Sequence, residues 1–302
     1  MIAVSGATGY IGGLLADSLL GGTAEVRCLV RTPGKAARLE AGGAELVHAD
    51  ALDPGSLEPA LEGARVAYYL IHSMGRGGDA DFAARDRRAA ANFGRAAERA
   101  GVERIIYLGG LGGGASKHLR SRQETAEVLG ESGVPLTYFR AAAVLGAGSE
   151  SFRTVYYLVK RLPFMLTPSW TANRTQPIAV ADVLAYLREA ATLDAAVGRT
   201  IEIGGPEVTT YAGMMDATAD ALGIRRPRRI SVPVLTPSLS SHWIGLVTPV
   251  DAGVARPLVE GLATDTVVSD SSGMELFGVR PMPLAEGMRA AVAETQRGPS
   301  RI

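Results

Sequence analysis

Cysteine is nearly absent: Cys28 is the only one in 302 residues. No disulfide can form within the chain, and that usage suits a reducing cytoplasm. Cys28 lies in the apolar run "EVRCLV" with no activating basic neighbour, so a buried, inert thiol is expected. An excess of charge is also lacking, because 31 basic and 31 acidic residues cancel. No net field draws the protein to nucleic acid or to an acidic membrane face, and an anionic ligand must be captured locally. A run of about 18 apolar residues, the length that crosses a bilayer, is missing. The nearest stretches, "TVYYLVKRLPFMLTPSW" and "HWIGLVTPV", are broken by Lys160, Arg161 and Pro163 or are too short. The N-terminus enters a strand directly, without a charged region, an apolar core and a cleavage site, so neither a membrane span nor a signal peptide is expected. Internal repeats and low-complexity tracts are absent, and no metal site is expected.

What is present is alternation. "IAVSG", "AEVRCLV", "AELVHA", "VAYYLI", "RIIYLGG" and "PLTYFRA" read as six successive strands. Between them "IGGLLADSLL", "PGKAARLEA", "ADFAARDRRAAANFGRAAERAG" and "LRSRQETAEVLGESG" read as helices, three of them closed by Gly22, Gly42 and Gly101 as left-handed caps. This pattern predicts an α/β fold, a doubly wound parallel sheet with right-handed crossovers. After about residue 140 the regularity weakens. "QPIAVADV" leads into the helix "VLAYLREAATL", "RTIEIGG" precedes the helix "YAGMMDATADALG", and proline becomes frequent from Pro227 to Pro257. Residues 1–150 are therefore expected to form a nucleotide-binding core, and 151–302 to complete it (about 174–204) and build a smaller substrate lobe.

The loop "VSGATGYIGG" sets Gly6, Gly9 and Gly12 three residues apart, directly after the first strand and at the opening of a helix. Gly6 permits the tight turn, Gly9 the close approach of backbone to a pyrophosphate, and Gly12 the packing of helix on strand. The helix N-terminus adds unpaired N–H groups and a positive dipole end. A bound dinucleotide is expected there, held by Gly6, Thr8, Gly9, Tyr10, Ile11 and Gly12. This G-x-x-G-x-x-G spacing, with "HADALD", "AGVERIIYLGGLG", "QPIAVADV" and "IEIGGPE", resembles the extended and atypical short-chain dehydrogenase/reductases, whose fold is of Rossmann type. "IHSMG", "SKHLRSRQE" and "LPFMLTPSW" look more specifically like the bacterial NmrA-like, nucleoside-diphosphate-sugar epimerase-like NAD(P)-binding proteins.

Strand two ends in "LVRTPGK", with Arg31 where an NAD-preferring site carries an acid. A carboxylate repels a 2′-phosphate, whereas a guanidinium binds it in a forked geometry, so Arg31, helped by Thr32 and Lys35, argues for NADP(H) over NAD(H). The resemblance implies that Asp50 accepts from the adenine amino group, with Ala51 and Leu52 beside it; a turn aspartate is the alternative, while Asp53-Pro54 reads as a helix N-cap. Ile71, His72 and Ser73 would line the pyrophosphate and nicotinamide ribose. The resemblance also implies that backbone from Arg140 to Val144, Ala141 included, completes the pocket.

Hydride-transferring members of the resembled group use a Tyr, a Lys four residues later, and a Ser or Thr ending strand five. Here those places carry His118, Arg122 and the pair Gly109-Gly110. Arg122 shares a helix face with His118 and can grip ribose hydroxyls. His118, with an ordinary pKa near 6.5, can exchange a proton near neutrality, and Ser116 can bond a substrate. The alternative is a helix-capping pair beside a cofactor that is only bound. Phe152, Tyr156, Tyr157, Phe164, Met165, Trp170 and Trp243 are expected to line or cover a substrate space, with Gln176 and Pro177 at the lobe junction.

Two functions follow. One is an NADP(H)-dependent oxidoreductase acting on a small, largely apolar carbonyl or enone-like substrate. The other is a non-catalytic NAD(P)-binding redox sensor or assembly protein. The expected partner is a small-molecule substrate or none, with no nucleic acid, and a homo-oligomer is implied only by analogy.

Overall fold

The computed structural model describes residues 1–72, 82–112, 116–232 and 264–298, leaving aside the side chains of 166, 169, 170, 231 and 232. In chain order the first half runs β1 (Ile2–Ser5), α1 (Tyr10–Leu20), β2 (Val26–Val30), α2 (Ala37–Ala41), β3 (Glu45–His48), α3 (Pro54–Leu61), β4 (Val66–Tyr69), α4 (Phe82–Arg99), β5 (Arg104–Gly110), α5 (Lys117–Gly130) and β6 (Leu136–Ala141). The second half runs β7 (Val144–Leu145), α6 (Glu150–Arg161), β8 (Phe164–Pro168), β9 (Arg174–Thr175), β10 (Ile178–Ala179), α7 (Val180–Ala190), β11 (Thr200–Ile203), β12 (Thr209–Thr210), α8 (Tyr211–Leu222), β13 (Arg228–Val232) and α9 (Leu284–Arg297).

The six runs expected to be strands all are, and β11 joins them in a seven-stranded parallel sheet of order β11-β6-β5-β4-β1-β2-β3. The central strands are largely apolar because both faces are covered: all four residues of β4 are buried. Val4, Cys28, Tyr68, Ile106 and Phe139 share one packed layer with Leu15, Val183 and Leu187 of α1 and α7. Ala3, Leu29, Tyr69, Ile105 and Tyr107 share the other with Leu57, Phe93 and Leu129 of α3, α4 and α5. Cys28 is fully buried, and desolvation pushes its thiol up to about 11, which leaves it inert. Strand order reverses between β1 and β4, which creates a crevice at their C-terminal ends.

Two local expectations need correction. "PGKAARLEA" is a 3-10 turn (Pro33–Ala36) followed by only five helical residues, since Pro33 and Gly34 suit a turn better than a longer helix. Gly22 and Gly42 are not left-handed; the positive φ falls on Gly43, whereas Gly101 does carry one.

A third buried cluster lies outside the sheet. Phe152, Val155 and Tyr156 of α6 pack with Met214 and Met215 of α8, Met288 and Val292 of α9, and Met165. Phe152, Tyr156 and Met165 are thus interior packing, not walls of a substrate space, and Phe164 is exposed. An amphipathic helix turns the same apolar stripe to a ligand or to another helix, and here it meets helices. Trp243 and the Trp170 side chain lie outside the described residues, as does most of the proline-rich 227–257 segment.

Candidate cofactor and active site

A cleft of about 640 Å³ runs along the C-terminal ends of β1, β2, β4, β5 and β6. Its floor is the Gly6–Gly12 loop, and its geometry needs glycine. Gly6 has φ +76°, and a Cβ there would stand 2.5 Å from the Leu70 carbonyl oxygen. A Cβ on Gly12 would stand 2.2 Å from the Gly6 oxygen, so α1 could not approach β1 as it does. Gly9 caps α1 without any side-chain hydrogen bond, which leaves the helix N-terminus open to an anion. These features fit a dinucleotide pyrophosphate. Thr8, Gly9, Tyr10, Ile11 and Gly12 all line the cleft.

Tyr10 acts there differently from expectation. Its ring lies against Gly146 and Gly148, where an added Cβ would clash with it, and its hydroxyl donates to Glu294 of α9, 3.1 Å from each carboxylate oxygen. Desolvation and the Glu294 charge raise its pKa, so the phenol stays protonated as a strut. Arg31 lines the end of the cleft beyond β2, exposed and with no polar partner among the described residues. Thr32 and Lys35 are exposed and fall outside the lining, because Thr32 caps the 3-10 turn that leads away. Asp50, Ala51 and Leu52 line the same end. The Leu52 N–H donates to Asp50 Oδ1 at 2.9 Å, so Asp50 makes an aspartate turn while still facing the cleft. Asp53 accepts from the Gly55 N–H and caps α3. Ile71 and His72 line the middle, and Ser73 lies outside the described residues.

At the far end Ala141, Ala142, Ala143 and Val144 form one wall. Arg140 does not: its guanidinium turns to Glu202 (2.8 Å) and the Gly112 carbonyl. His118 and Arg122 do line the cleft, linked by a bond from Arg122 Nε to His118 Nε2 at 3.3 Å. Arg122 Nη1 also donates to the Leu108 carbonyl at 2.9 Å, which ties α5 to the end of β5. Burial, reinforced by the Arg122 charge, lowers the His118 pKa to about 3. The expectation of a histidine exchanging protons near neutrality is therefore corrected: it is a neutral imidazole, and since Nε2 accepts, its proton sits on Nδ1. Ser116 is a buried N-cap of α5, accepting from the Leu119 N–H, not a substrate contact. Gln176 bridges Gly205 and Val268, stitching the second half together.

Sequence reasoning missed Phe82, Arg85, Asp86, Leu119, Tyr211 and Thr266, all of which line the cleft. Arg85 and Asp86 had a usable signal, as adjacent charges near the start of the helix after strand four. Tyr211 and Thr266 had none, because only the fold brings them together.

The family described as NAD(P)H-binding matches residues 6–158. The chain belongs to that family. The match covers the Gly6–Gly12 loop, strands β2 to β6 and most of α6, and it supports the resemblance and the cofactor class read from the sequence. This NAD(P)H-binding chain is 26% identical over 188 residues to the Arabidopsis thaliana mitochondrial NADH dehydrogenase [ubiquinone] 1 alpha subcomplex subunit 9, covering 59% of this chain and 46% of that protein. It is 36% identical over 143 residues to the photosystem II assembly factor Ycf39 of Cyanophora paradoxa, covering 46% and 44% respectively. The chain thus spans about half the length of these curated relatives. Its fold matches that of the Escherichia coli NADPH-dependent quinone oxidoreductase QOR2, solved with NADPH, at TM-score 0.76 and 22% identity, covering 95% of this chain and 98% of that one. Among the described residues no helix is long and apolar enough to cross a membrane.

Proposed function

We propose that the chain is an NADP(H)-dependent oxidoreductase that reduces a small, largely apolar carbonyl or enone-like substrate. The carrying observation is the continuity of one cleft, from Arg31 past the glycine cradle and Arg122 to a region bounded by Phe82, Leu111, Leu119 and Tyr211. In this reading residues 1–150 hold the dinucleotide, with Arg31 on the 2′-phosphate, and residues 151–302 complete the core and form the substrate lobe. When bound, the reduced nicotinamide supplies a hydride. Arg122, fixed by His118 and Leu108, offers its remaining donors to the ribose hydroxyls, and the apolar residues exclude water from the reacting carbonyl.

A second reading, a non-catalytic NAD(P)-binding protein that reports redox state or stabilises an assembly, is favoured by one observation. His118 and Arg122 are bonded to each other, and that pair caps a strand end whether or not chemistry follows. The names of the two curated relatives also lean this way.

The readings separate in one experiment: titrate NADPH and NADH, then follow NADPH oxidation with benzaldehyde, acetophenone, cyclohex-2-enone and 1,4-benzoquinone. Tighter binding of NADPH and turnover of at least one carbonyl are expected. Micromolar NADPH binding without any oxidation would overturn the enzyme reading, and tighter binding of NADH would overturn the role of Arg31.

A further inference from the structure

Reducing a carbonyl needs a proton at oxygen as well as a hydride at carbon, and the cleft has few groups able to give one. The His118 imidazolium forms only near pH 3. The Tyr10 hydroxyl is committed to Glu294. The other phenol among the described lining residues is Tyr211, the first residue of α8 and 3% exposed.

Tyr211 belongs to a buried line of hydroxyls. Its oxygen stands 3.4 Å from Thr266 Oγ1, and Thr266 donates onward to Thr175 Oγ1 at 2.9 Å. Thr266 is fixed by its backbone: its N–H donates to the Arg174 carbonyl (2.9 Å) and its carbonyl accepts from the Gln176 N–H (3.0 Å). Gly112, just beyond β5, lies against Thr266: a Cβ there would meet Leu119 Cδ1 and Thr266 Cγ2, each at 3.2 Å. Thr266, from the C-terminal half of the chain, is thus brought beside a strand end that carries no hydroxyl of its own. Burial keeps the Tyr211 phenol protonated at neutral pH, while hydrogen bonds from Thr266 and Thr175 favour its anion.

Resting on the reductase reading above, we propose that Tyr211 is the proton donor to the substrate oxygen and that Thr266 steadies the phenolate it leaves. As the new C–H bond forms with the hydride's electron pair, the C=O π bond breaks toward oxygen. The Tyr211 O–H, which points at Thr266 while Thr266 donates to Thr175, turns to the substrate oxygen; that O–H bond breaks and its proton goes to the oxygen. Thr266 turns its hydroxyl from Thr175 to the phenolate, Thr175 supports Thr266 in turn, and a proton taken up from the buffered solvent then restores Tyr211. The products are the alcohol, or the enol of a saturated ketone, and NADP⁺, so two electrons and two hydrogens are accounted for.

The test compares wild type with Tyr211→Phe and Thr266→Val, both close to isosteric, with melting temperatures confirming the fold. Single-turnover NADPH oxidation with the best of the four carbonyls is expected to slow about 100-fold in Tyr211→Phe and about tenfold in Thr266→Val. The NADPH dissociation constant should stay within about twofold. A second readout needs no turnover: the infrared C=O stretch of carbonyl-¹³C acetophenone, bound to the NADP⁺-loaded protein, should shift to lower wavenumber in wild type and return toward its unbound position in Tyr211→Phe. Turnover by wild type with full activity in both variants, or a stretch that Tyr211→Phe leaves unchanged, would overturn the donor assignment and leave the reductase standing. Absence of turnover in wild type, with no shifted stretch, would overturn both.

Discussion

His118 shows how its surroundings, not its residue type, set a side chain's chemistry. Its ordinary pKa of 6.5 is brought down to about 3 by desolvation first and by the Arg122 guanidinium second. The folded state therefore resists a proton that the unfolded chain accepts below about pH 6.5. Stability is unaffected by this group above that pH and falls as pH drops from 6.5 toward 3, by at most about 1.4 kcal/mol per pH unit for one proton and less where the cleft admits water. His118→Gln cannot titrate. Urea midpoints at pH 7, 5.5 and 4.5 should fall more steeply for wild type than for His118→Gln, and parallel profiles would show that the imidazole protonates freely in the folded state.

Among elements, the β1-to-α1 connection is the most constrained, and one methyl group measures how much. A Cβ on Gly12 meets backbone, 2.2 Å from the Gly6 oxygen and 2.7 Å from its carbon, so α1 would have to lift from β1 and take its N–H groups away from the phosphate position. Gly12→Ala should cost about 1–3 kcal/mol and weaken NADPH binding at least tenfold. Gly34→Ala, whose Cβ would meet nothing within 4 Å, should change neither. Wild-type affinity in Gly12→Ala, read by NADPH fluorescence, would contradict this picture. The same loop was legible in the sequence because its demands are local: a tight turn, a close approach, a helix start. The central strands were legible because burial on both faces writes mainly apolar runs, as in "VAYY" of β4, while the edge strand β3, "ELVH", was read from its place in the alternation. The two-residue strands β7, β9 and β10 carry too little pattern to read. Helix α9 does carry one, with Leu284, Met288, Ala291 and Val292 at helical spacing. The Tyr211–Thr266 contact joins residues 55 apart, and no spacing rule links a helix N-terminus to a single β-bridge.

At the scale of the whole molecule, one carboxylate ties the two ends of the chain together beside the cleft. Glu294, in the last turn of α9, accepts from the Tyr10 hydroxyl at the first residue of α1, and from the Ala147 N–H beyond β7. Gly146 and Gly148 flatten that loop so that the Tyr10 ring can lie on it. Helix α9 in turn rests on β10, where Gly287 packs against Ala179 and Leu145, and on α8, which presents Tyr211 to the cleft. The cradle that fits the pyrophosphate and the helices α8 and α9 are therefore held in register by this strut. Glu294→Ala leaves a part-buried phenol and an amide without their acceptor, at a cost of about 1–3 kcal/mol. The expected outcome is a melting temperature lowered by several degrees, faster hydrogen exchange at the Ala147 amide, and NADPH affinity weakened several-fold, although Glu294 is absent from the cleft lining. Exchange at Ala147 is the decisive readout, because a purely local loss on the surface of α9 would leave that amide protected. Glu294→Gln, which keeps one acceptor oxygen, should fall between the two.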